Sequence, residues 1–306
     1  NMAAGFLKEF GLTPQYTLKP SRASSRRQMH DIKRGLEKIF KKEKPRMVVV
    51  VGDVNSTLWA AQVAHKLRIP LAHIEAGLRS FNPKMPEERN RIETDRLSDV
   101  LFVTQEEGIK NLRNEGITKG VYSVGNIMID TLKMFLGTAK KIPGKYYFCT
   151  LHRAENVDDK KVFAEITAAL EVISHDAAIY LPLHPRTKKM AQKFGLLPAL
   201  KKACRIVSPL SYAASVAYQK NARLVFTDSG GVQEETSYLG VPCITLRTET
   251  ERPITVTHGT NTIGGITKRS IMAAYVEKNL KKKKTRILLW DGKAAKRIVA
   301  IIKKRV

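Results

Sequence analysis

The chain has 306 residues, 43% of them hydrophobic, which suits a globular protein with two domains of ordinary size. It contains no apolar run of about 18 residues, the length that a membrane-spanning helix needs. The first residues, NMAAGFLKEFGLTPQ, lack the basic and apolar regions of a signal peptide. The three cysteines are far apart and have no CxxC spacing, so reduced thiols are predicted rather than disulfides. We therefore expect a cytoplasmic protein.

The charge balance is strongly basic, with 54 lysines and arginines against 28 aspartates and glutamates, a net charge of +26. Such an excess attracts polyanions. However, the lysines are dispersed along the chain and are not interleaved with aromatic residues, and no zinc-finger, RNP or KH signature accompanies them. The excess is interpreted as solvated surface charge, and no specific nucleic-acid partner is predicted.

Short apolar runs rich in β-branched residues alternate with helical patterns along most of the chain. This alternation predicts an α/β fold with parallel sheets. The predicted strands are Met47–Val51, Leu71–Ile74, Val100–Val103, Tyr146–Cys149, Ile179–Pro182, Leu224–Phe226 and Cys243–Leu246. The predicted helices are Asn55–Leu67, Thr104–Glu115, Lys160–Ser174, Leu210–Gln219 and Gly231–Leu239.

Two Rossmann-like domains are predicted, at residues 1–137 and 138–290, followed by an amphipathic closing helix at 291–306. The boundary is placed at the basic Gly/Pro-containing segment Gly137–Gly144. No strand pattern precedes Met47, whereas a doubly wound domain usually starts with its central strand and a phosphate-facing loop. The first domain is therefore expected to be incomplete.

Three carboxylates stand where predicted strands end or a predicted helix begins. Asp53 follows the first strand, Glu75 ends the second, and Glu87 follows Pro86 at a helix start. In an open α/β sheet these positions lie at the ligand-binding edge, so the acids could act on one substrate carbon. Each also has an ordinary structural explanation, since Asp53 can brace a turn and Glu87 can cap a helix.

Two histidine-arginine combinations end strands of the second domain: His152 with Arg153, and His184 with Arg186. Together they predict a cationic, hydrogen-bonding rim suited to phosphates. Metal binding is the alternative, but the sequence has no HExxH motif or second ligand at helical spacing. No metal site is predicted.

The stretch TDSGGVQEE predicts a nucleoside diphosphate site. Gly230 and Gly231 would let a diphosphate approach the backbone N–H groups at a helix start, and Ser229 adds a hydroxyl. Glu235 is placed to accept hydrogen bonds from a ribose diol, and Arg252 to supply a cation. A tight strand-to-helix turn is the alternative. Neither GxGxxG nor GxxxxGK[ST] occurs, so nicotinamide and P-loop chemistry are not predicted.

The motifs VGDVNST, HIEAGLRS, MPEERNR, TDRLSDVLF, GNIMID, LHRAEN, TDSGGVQEE, LGVP and TETERP follow in this order. From about Met2 to the end, the chain resembles the non-hydrolysing UDP-N-acetylglucosamine 2-epimerases. The resemblance implies the GT-B fold, with two Rossmann-like domains and the substrate between them, and commonly a homodimer. It also implies interconversion of UDP-N-acetylglucosamine and UDP-N-acetylmannosamine without a cofactor, by loss of the C2 proton as UDP departs and re-addition of UDP.

The same resemblance implies roles for individual residues. It makes Asp53, Glu75 and Glu87 the catalytic carboxylates and His152 the histidine that assists near the diphosphate. The UDP site that it implies contains Ser229, Gly230, Gly231, Glu235 and Arg252.

The chain departs from the family in two places. It begins downstream of the Gly-Thr-Arg-Pro-Glu loop that normally helps to hold the diphosphate, and Leu210 and Ser215 stand where a glutamine and an aromatic residue often serve the uracil. A related GT-B epimerase acting on a diacetamido sugar and a hydrolysing variant therefore stay open. So does an inactive basic protein that binds nucleotide sugars or polyanions.

Overall fold

A computed structural model describes residues 2–21, 24–137, 142–278, 280–282 and 284–306. The chain forms two compact units. The four-stranded unit contains Leu12–Ile127 and Leu288–Val306, and the six-stranded unit contains Asn1–Gly11 and Met128–Ile287. The predicted domain boundary falls at segment 137–144, of which residues 138–141 lie outside the described residues, so the boundary stays a prediction.

The described residues contain ten strands, all paired in parallel. They are β1 (Val48–Val51), β2 (Leu71–Ala76), β3 (Val100–Val103), β4 (Val121–Ser123), β5 (Tyr146–Thr150), β6 (Ala178–Pro182), β7 (Arg205–Val207), β8 (Leu224–Thr227), β9 (Cys243–Thr245) and β10 (Asn261–Ile263).

The helices of the described residues connect these strands. They are α1 (Met2–Glu9), α2 (Ser25–Glu43), α3 (Asn55–Lys66), α4 (Pro86–Leu97), α5 (Glu106–Asn114), α6 (Ile127–Leu136), α7 (Ala154–Val157), α8 (Lys160–Ile173), α9 (Pro185–Lys193), α10 (Leu197–Ala203), α11 (Tyr212–Asn221), α12 (Gly230–Leu239), α13 (Ile254–Thr257), α14 (Lys268–Glu277) and α15 (Ala294–Lys303). No helix in the described ranges has the length and apolar character needed to cross a membrane.

The four-stranded sheet has the order β1-β2-β3-β4. Helix α15 packs Ile298, Ile301 and Ile302 against a core that includes Ala72 and Phe102 of this sheet. Strand β1 was predicted to be buried, and this is wrong for one of its faces, because Val49 and Val51 are 42% and 50% exposed. Successive side chains of a strand point to opposite faces, and among the described residues the face bearing these two valines is uncovered.

The six-stranded sheet has the order β10-β9-β8-β5-β6-β7. Counted from β5, this is the doubly wound order in which the chain first runs to one edge and then returns to build the other half. The reversal lies between β5 and β8, which are direct neighbours. Parallel sheets of this kind bind ligands at the carboxyl ends of the strands beside the reversal. That point is where the residues after β5 and β8 come together.

Candidate active site

Asp53 lies in the turn between β1 and α3 of the four-stranded unit. Gly52 makes this turn with a φ of 70°, a left-handed conformation that glycine adopts without steric cost. One carboxylate oxygen of Asp53, Oδ2, lies 2.5 Å from Nη2 of Arg91 on α4. The Asp53 side chain stays 26% exposed, so it is held on one side and open to solvent on the other.

Glu75 lies within β2 in an unusual backbone conformation. Its φ is 70°, which a residue with a side chain rarely adopts, and the pairing of β2 with β3 shifts register between Ile74 and Ala76. A β-bulge of this kind redirects a side chain. The Glu75 carboxylate lies near the Asp53 turn, since a Cβ added to Gly52 would be 4.0 Å from Oε2 of Glu75.

Glu87 is half-buried in the first turn of α4, a helix that packs on α3 and β2. Its helix is fastened to the Asp53 turn by Asn90 and Arg91, whose side chains donate to the Asp53 carbonyl and carboxylate. Thus the structure groups the Asp53 turn, Glu75 and the helix that carries Glu87 at the carboxyl ends of β1 and β2. Their catalytic roles stay predictions.

Sequence reasoning missed that α4 buries charged residues. The helix, PEERNRIETDRL, has few large apolar residues, so it cannot pack through an apolar stripe. A buried charge is costly unless it is paired and hydrogen-bonded, so the inward residues need partners. The lack of an apolar face on α4 was the sequence signal from which these buried residues could have been predicted. The buried residues are Glu88, Asn90, Arg91, Thr94 and Asp95.

Asp95 is the centre of a second buried network. Its Oδ1 lies 2.7 Å from Nδ1 of His73, and its Oδ2 accepts from the Gly77 N–H and lies 2.8 Å from Nη1 of Arg79. The other ring nitrogen of His73 lies 2.9 Å from the Gly52 carbonyl. His73, held by Asp95, therefore contacts the Gly52 carbonyl in the turn that contains Asp53.

In the six-stranded unit, three predicted site residues line one cavity of about 160 Å³. His152 follows β5, His184 follows β6, and Ser229 follows β8, so the cavity lies at the reversal of the doubly wound sheet. Leu210 forms part of the wall. Arg186, Glu235 and Arg252 are not among the described residues that line it.

Asp228 orients the loop that carries His152, a role that sequence reasoning missed although the residue lies inside TDSGGVQEE. Its Oδ2 accepts from the backbone N–H groups of His152 and Arg153, both at 2.8 Å. Its Oδ1 lies 3.3 Å from Nδ1 of His152. Asp228 is fully buried, whereas the His152 side chain is 40% exposed. A buried carboxylate facing Nδ1 favours a proton there and leaves Nε2 to face a ligand.

His184 caps helix α9. Its Nδ1 accepts a hydrogen bond from the Arg186 N–H at 3.2 Å, so the neutral ring carries its proton on Nε2. Burial, assisted by nearby His152, lowers the pKa of His184 and favours this neutral form. The described part of the chain has no group of three His, Cys, Asp or Glu side chains that could hold a metal ion.

The Arg186 side chain has an ionic partner of its own. Nε and Nη2 form two hydrogen bonds with the carboxylate of Asp158, at 3.0 and 2.6 Å. This pairing raises the pKa of Arg186 and lowers that of Asp158. A phosphate would therefore have to share Arg186 with Asp158.

Helix α12 begins at the two glycines of TDSGGVQEE, and the structure separates their roles. A Cβ on Gly230 would lie 2.7 Å from Cζ of Arg252, so a larger residue here would require this guanidinium to shift. A Cβ on Gly231 would meet nothing nearer than the terminal methyl of Met128, at 3.4 Å. Arg252 is also held 2.9 Å from Oε1 of Glu234, which places its charge beside the helix N-terminus.

Glu235 is buried, with 3% of its surface exposed. Its two oxygens accept from the Tyr212 hydroxyl at 2.7 Å and from the Gln219 amide at 2.6 Å. Burial raises the pKa of Glu235, and these two hydrogen bonds oppose the rise. A ribose diol at this position would have to share the carboxylate with Tyr212 and Gln219.

Comparison with known proteins assigns the chain to a family. A family model described as UDP-N-acetylglucosamine 2-epimerase matches residues 1–303. The UDP-N-acetylglucosamine 2-epimerase of Methanocaldococcus jannaschii is 42% identical over 320 residues, covering 99% of this chain and 87% of that protein. The UDP-2,3-diacetamido-2,3-dideoxy-D-glucuronate 2-epimerase of Pseudomonas aeruginosa is 39% identical over 282 residues, covering 89% of this chain and 78% of that protein.

Solved structures agree with this assignment. The crystal structure of the Methanocaldococcus jannaschii UDP-GlcNAc 2-epimerase in complex with UDP-GlcNAc and UDP matches with a TM-score of 0.92 and 40% identity. The match covers 98% of this chain and 88% of that one. The expected GT-B fold, with two units built on parallel sheets, is confirmed. The chain belongs to the UDP-N-acetylglucosamine 2-epimerase family.

Proposed function

We propose that this protein is a non-hydrolysing isomerase that interconverts UDP-N-acetylglucosamine and UDP-N-acetylmannosamine. The observation that carries the proposal is the grouping of acids at the carboxyl ends of β1 and β2. Asp53 is held by Arg91, and the strained Glu75 lies beside the Asp53 turn. Acid-base groups that exchange a proton at one carbon are what inversion at C2 requires.

The proposed reaction proceeds in two halves. A carboxylate takes the C2 proton while the bond between C1 and the UDP oxygen breaks, which leaves a double bond between C1 and C2. UDP then adds back to C1 as a second acid delivers a proton to the opposite face of C2. Asp53, Glu75 and Glu87 are the candidates for these acid-base steps, and no oxidant or reductant is needed.

Departure of UDP leaves negative charge on the diphosphate, and the six-stranded unit has groups suited to stabilise it. The start of α12 at Gly230 offers backbone N–H groups and the positive end of the helix dipole. His152, oriented by Asp228, and Arg252 supply hydrogen bonds and positive charge. We propose that Ser229, Gly231, His184 and Arg186 contribute to the same diphosphate site and Glu235 to the ribose.

The sugar itself is the part of the proposal with a specific competitor. The Pseudomonas aeruginosa relative is named for a diacetamido glucuronate, and its identity of 39% is close to the 42% of the relative named for N-acetylglucosamine. Both names describe inversion at C2 of a UDP-sugar. We therefore propose UDP-N-acetylglucosamine as the substrate and the diacetamido sugar as the alternative.

Two substitutions test how binding and chemistry are divided. In Glu87→Gln, we expect kcat to fall about a hundredfold or more while the Kd for UDP stays within about threefold, because a neutral amide cannot exchange the proton. In Arg252→Ala, we expect weaker UDP binding, because the cation beside α12 is lost. Proton NMR of the sugar products and calorimetric titration with UDP provide the measurements. Equal loss of UDP binding in both variants would contradict this division.

The product distribution tests the absence of hydrolysis. Incubation with UDP-N-acetylglucosamine should give UDP-N-acetylmannosamine and no free sugar, whereas free N-acetylmannosamine with UDP would indicate a hydrolysing enzyme. Incubation with the UDP-diacetamido sugar under the same conditions compares kcat/KM for the competitor. A higher kcat/KM for the diacetamido sugar would replace the proposed substrate.

A cytoplasmic location and a homodimer complete the proposal. All three cysteines are free and buried, which is typical of a reducing compartment. The homodimer is implied by the family resemblance. Light scattering that gives twice the mass of one chain would support it, and the mass of a single chain would contradict it.

A further inference from the structure

Helix α4 buries several polar side chains. Glu88, Asn90 and Arg91 are 3%, 7% and 2% exposed. Burial of charges on this scale is unfavourable unless their partners are held in good geometry, so the partners identify what the helix holds in place. Those partners are the turn that contains Asp53 and the turn at Ser80 and Phe81.

Arg91 connects two carboxylates with its two terminal nitrogens. Nη2 lies 2.5 Å from Oδ2 of Asp53, and Nη1 lies 2.9 Å from Oε2 of Glu88. The preceding residue adds to this restraint, because the Asn90 amide donates to the Asp53 carbonyl at 2.9 Å and to Oδ1 of Asn55 at 3.0 Å. Both the backbone and the carboxylate of Asp53 are therefore held by α4.

Glu88 anchors the other side of this bridge. Its Oε1 accepts from the Phe81 N–H at 2.9 Å, and its Oε2 accepts from the N–H of Ser80 at 2.9 Å and from its hydroxyl at 3.0 Å. Phe81 has a φ of 60°, a conformation that needs such support in a bulky residue. The guanidinium of Arg91 thus joins the Asp53 turn to a second braced turn and cannot shift freely.

We propose that Arg91 is the positioning residue for Asp53. This rests on the proposed function, in which Asp53 exchanges a proton with the substrate. The Arg91 side chain is 2% exposed and the Asp53 side chain 26%, so in this proposal the sugar meets Asp53 and Arg91 acts through it. With Oδ2 fixed by Arg91, the carboxylate keeps one orientation, and its Oδ1 is the oxygen left to face the sugar.

The geometry also explains why this residue is an arginine. A planar guanidinium carries donors in a fixed fork and can bind two separate carboxylates at once, whereas a lysine ammonium is a single point charge on a flexible stem. Displacement of a catalytic group by about 1 Å can lower a rate about a hundredfold. Loss of the fork is therefore expected to slow the reaction far more than it weakens binding.

The test compares Arg91→Met and Arg91→Lys with the wild-type enzyme and with Arg96→Met. Arg96 is an exposed arginine in the last turn of the same helix, so its substitution is a matched control. In Arg91→Met we expect kcat to fall about a hundredfold, with KM and the Kd for UDP within about threefold of wild type. In Arg91→Lys, which retains a buried cation and protects the fold, we expect a fall of about tenfold.

Two further readouts separate positioning from general support of the fold. In Arg91→Ala, added methylguanidine should restore part of kcat, whereas methylammonium should not. In an Asp53→Asn background, Arg91→Met should cause little further loss, because both changes disable the same carboxylate. Circular dichroism and UDP binding establish that each variant is folded.

The outcomes distinguish this inference from the proposed function. A wild-type enzyme without epimerase activity would overturn the proposed function. An active wild type with Arg91→Met and Arg91→Lys both within about twofold of its kcat would overturn the inference alone. Losses that are fully additive with Asp53→Asn would overturn it too.

Discussion

Gly230 is favoured by the position of Arg252 rather than by a backbone torsion. The φ of Gly230 is not in the left-handed region that favours glycine, but a Cβ there would lie 2.7 Å from Cζ of Arg252. Gly231, its neighbour, has ordinary space around a Cβ. In TDSGGVQEE, a side chain at Gly230 would therefore displace Arg252. A side chain at Gly231, also at the helix start, would make only ordinary contacts within the protein.

This difference predicts opposite effects of two alanine substitutions. Gly230→Ala should lower the free energy of unfolding by about 1–3 kcal/mol, because the methyl group displaces a buried guanidinium. Gly231→Ala, the matched control, should be neutral or slightly stabilising, since alanine favours a helix. Urea unfolding of both variants provides the measurement. Equal free energies of unfolding for the two variants would show that Arg252 moves aside freely.

The raised pKa of Glu235 predicts how the stability of the folded protein depends on pH. Burial raises its pKa in the folded protein, so the fold favours the protonated form. The stabilising contribution is fully present below the unfolded pKa of about 4.3 and is lost as pH rises through the folded pKa. Within that window the contribution should fall by up to about 1.4 kcal/mol per pH unit.

Glu235→Gln should remove this pH dependence, because glutamine does not ionise. The difference in unfolding free energy between Glu235→Gln and wild type should therefore increase with pH, as urea unfolding at a series of pH values from mildly acidic to neutral would measure. A difference that stays constant or decreases with pH would contradict the assignment of a raised pKa to Glu235.

At the level of elements, the neighbouring strands β5 and β8 carry the candidate site of the six-stranded unit. The loop after β8 supplies Asp228, and the loop after β5 supplies the N–H groups and the ring of His152 that face it. An aspartate at one strand end thus sets the conformation of the loop at the next. This contact explains why the motifs LHRAEN and TDSGGVQEE belong to one site although they are far apart in the sequence.

Asp228→Asn should damage catalysis more than binding. The asparagine removes the negative charge that faces Nδ1 of His152, so the ring loses support for the positive charge that we propose it supplies to the leaving diphosphate. We expect kcat to fall about a hundredfold with a smaller change in the Kd for UDP. Asp159→Asn is the matched control, because Asp159 caps α8 and asparagine caps equally well. A kcat within twofold of wild type would contradict the role of Asp228.

Sequence patterns predicted β3 and β8 because buried parallel strands are nearly continuous apolar runs, as in VLFV and LVFT. They missed β4, β7 and β10, which have three residues each, whereas the equally short β9 was predicted because apolar Leu246 extends its run. The predicted helix Leu210–Gln219 is shifted, since α11 spans Tyr212–Asn221 with Ser211 as its N-cap. Helix boundaries that depend on a single capping residue are difficult to predict from the sequence pattern.

The candidate site was predictable to the extent that its residues follow strands directly. Asp53 and His152 could be located because each stands just beyond an apolar run. Arg91 and Asp228 could not be assigned, since their roles depend on contacts between segments distant in sequence. The spacing within a motif indicates which residues follow a strand, whereas contacts between distant segments are known only from the fold.

For the whole molecule, burial explains part of the basic surface. Six carboxylates are at most 3% exposed, and their charge is paired or hydrogen-bonded inside the units. No lysine is among the buried residues of the described ranges, although the Lys278 ammonium is partly buried and donates to the Thr260 carbonyl and the Thr262 hydroxyl. Three arginines, Arg79, Arg91 and Arg247, are also at most 3% exposed, so burial makes the surface more basic than the balance of 54 to 28 by only three charges. A field of this sign attracts an anionic nucleotide sugar. The six buried carboxylates are Glu88, Asp95, Asp228, Glu234, Glu235 and Glu251.

We propose that the acids of the four-stranded unit exchange a proton at C2 of a UDP-sugar. The most direct test is incubation of the protein with UDP-N-acetylglucosamine in deuterium oxide, followed by NMR and mass spectrometry of the nucleotide sugars. We predict deuterium at C2 in both UDP-N-acetylglucosamine and UDP-N-acetylmannosamine, with no free sugar. Recovery of UDP-N-acetylglucosamine without deuterium, from a protein that binds UDP, would contradict the account.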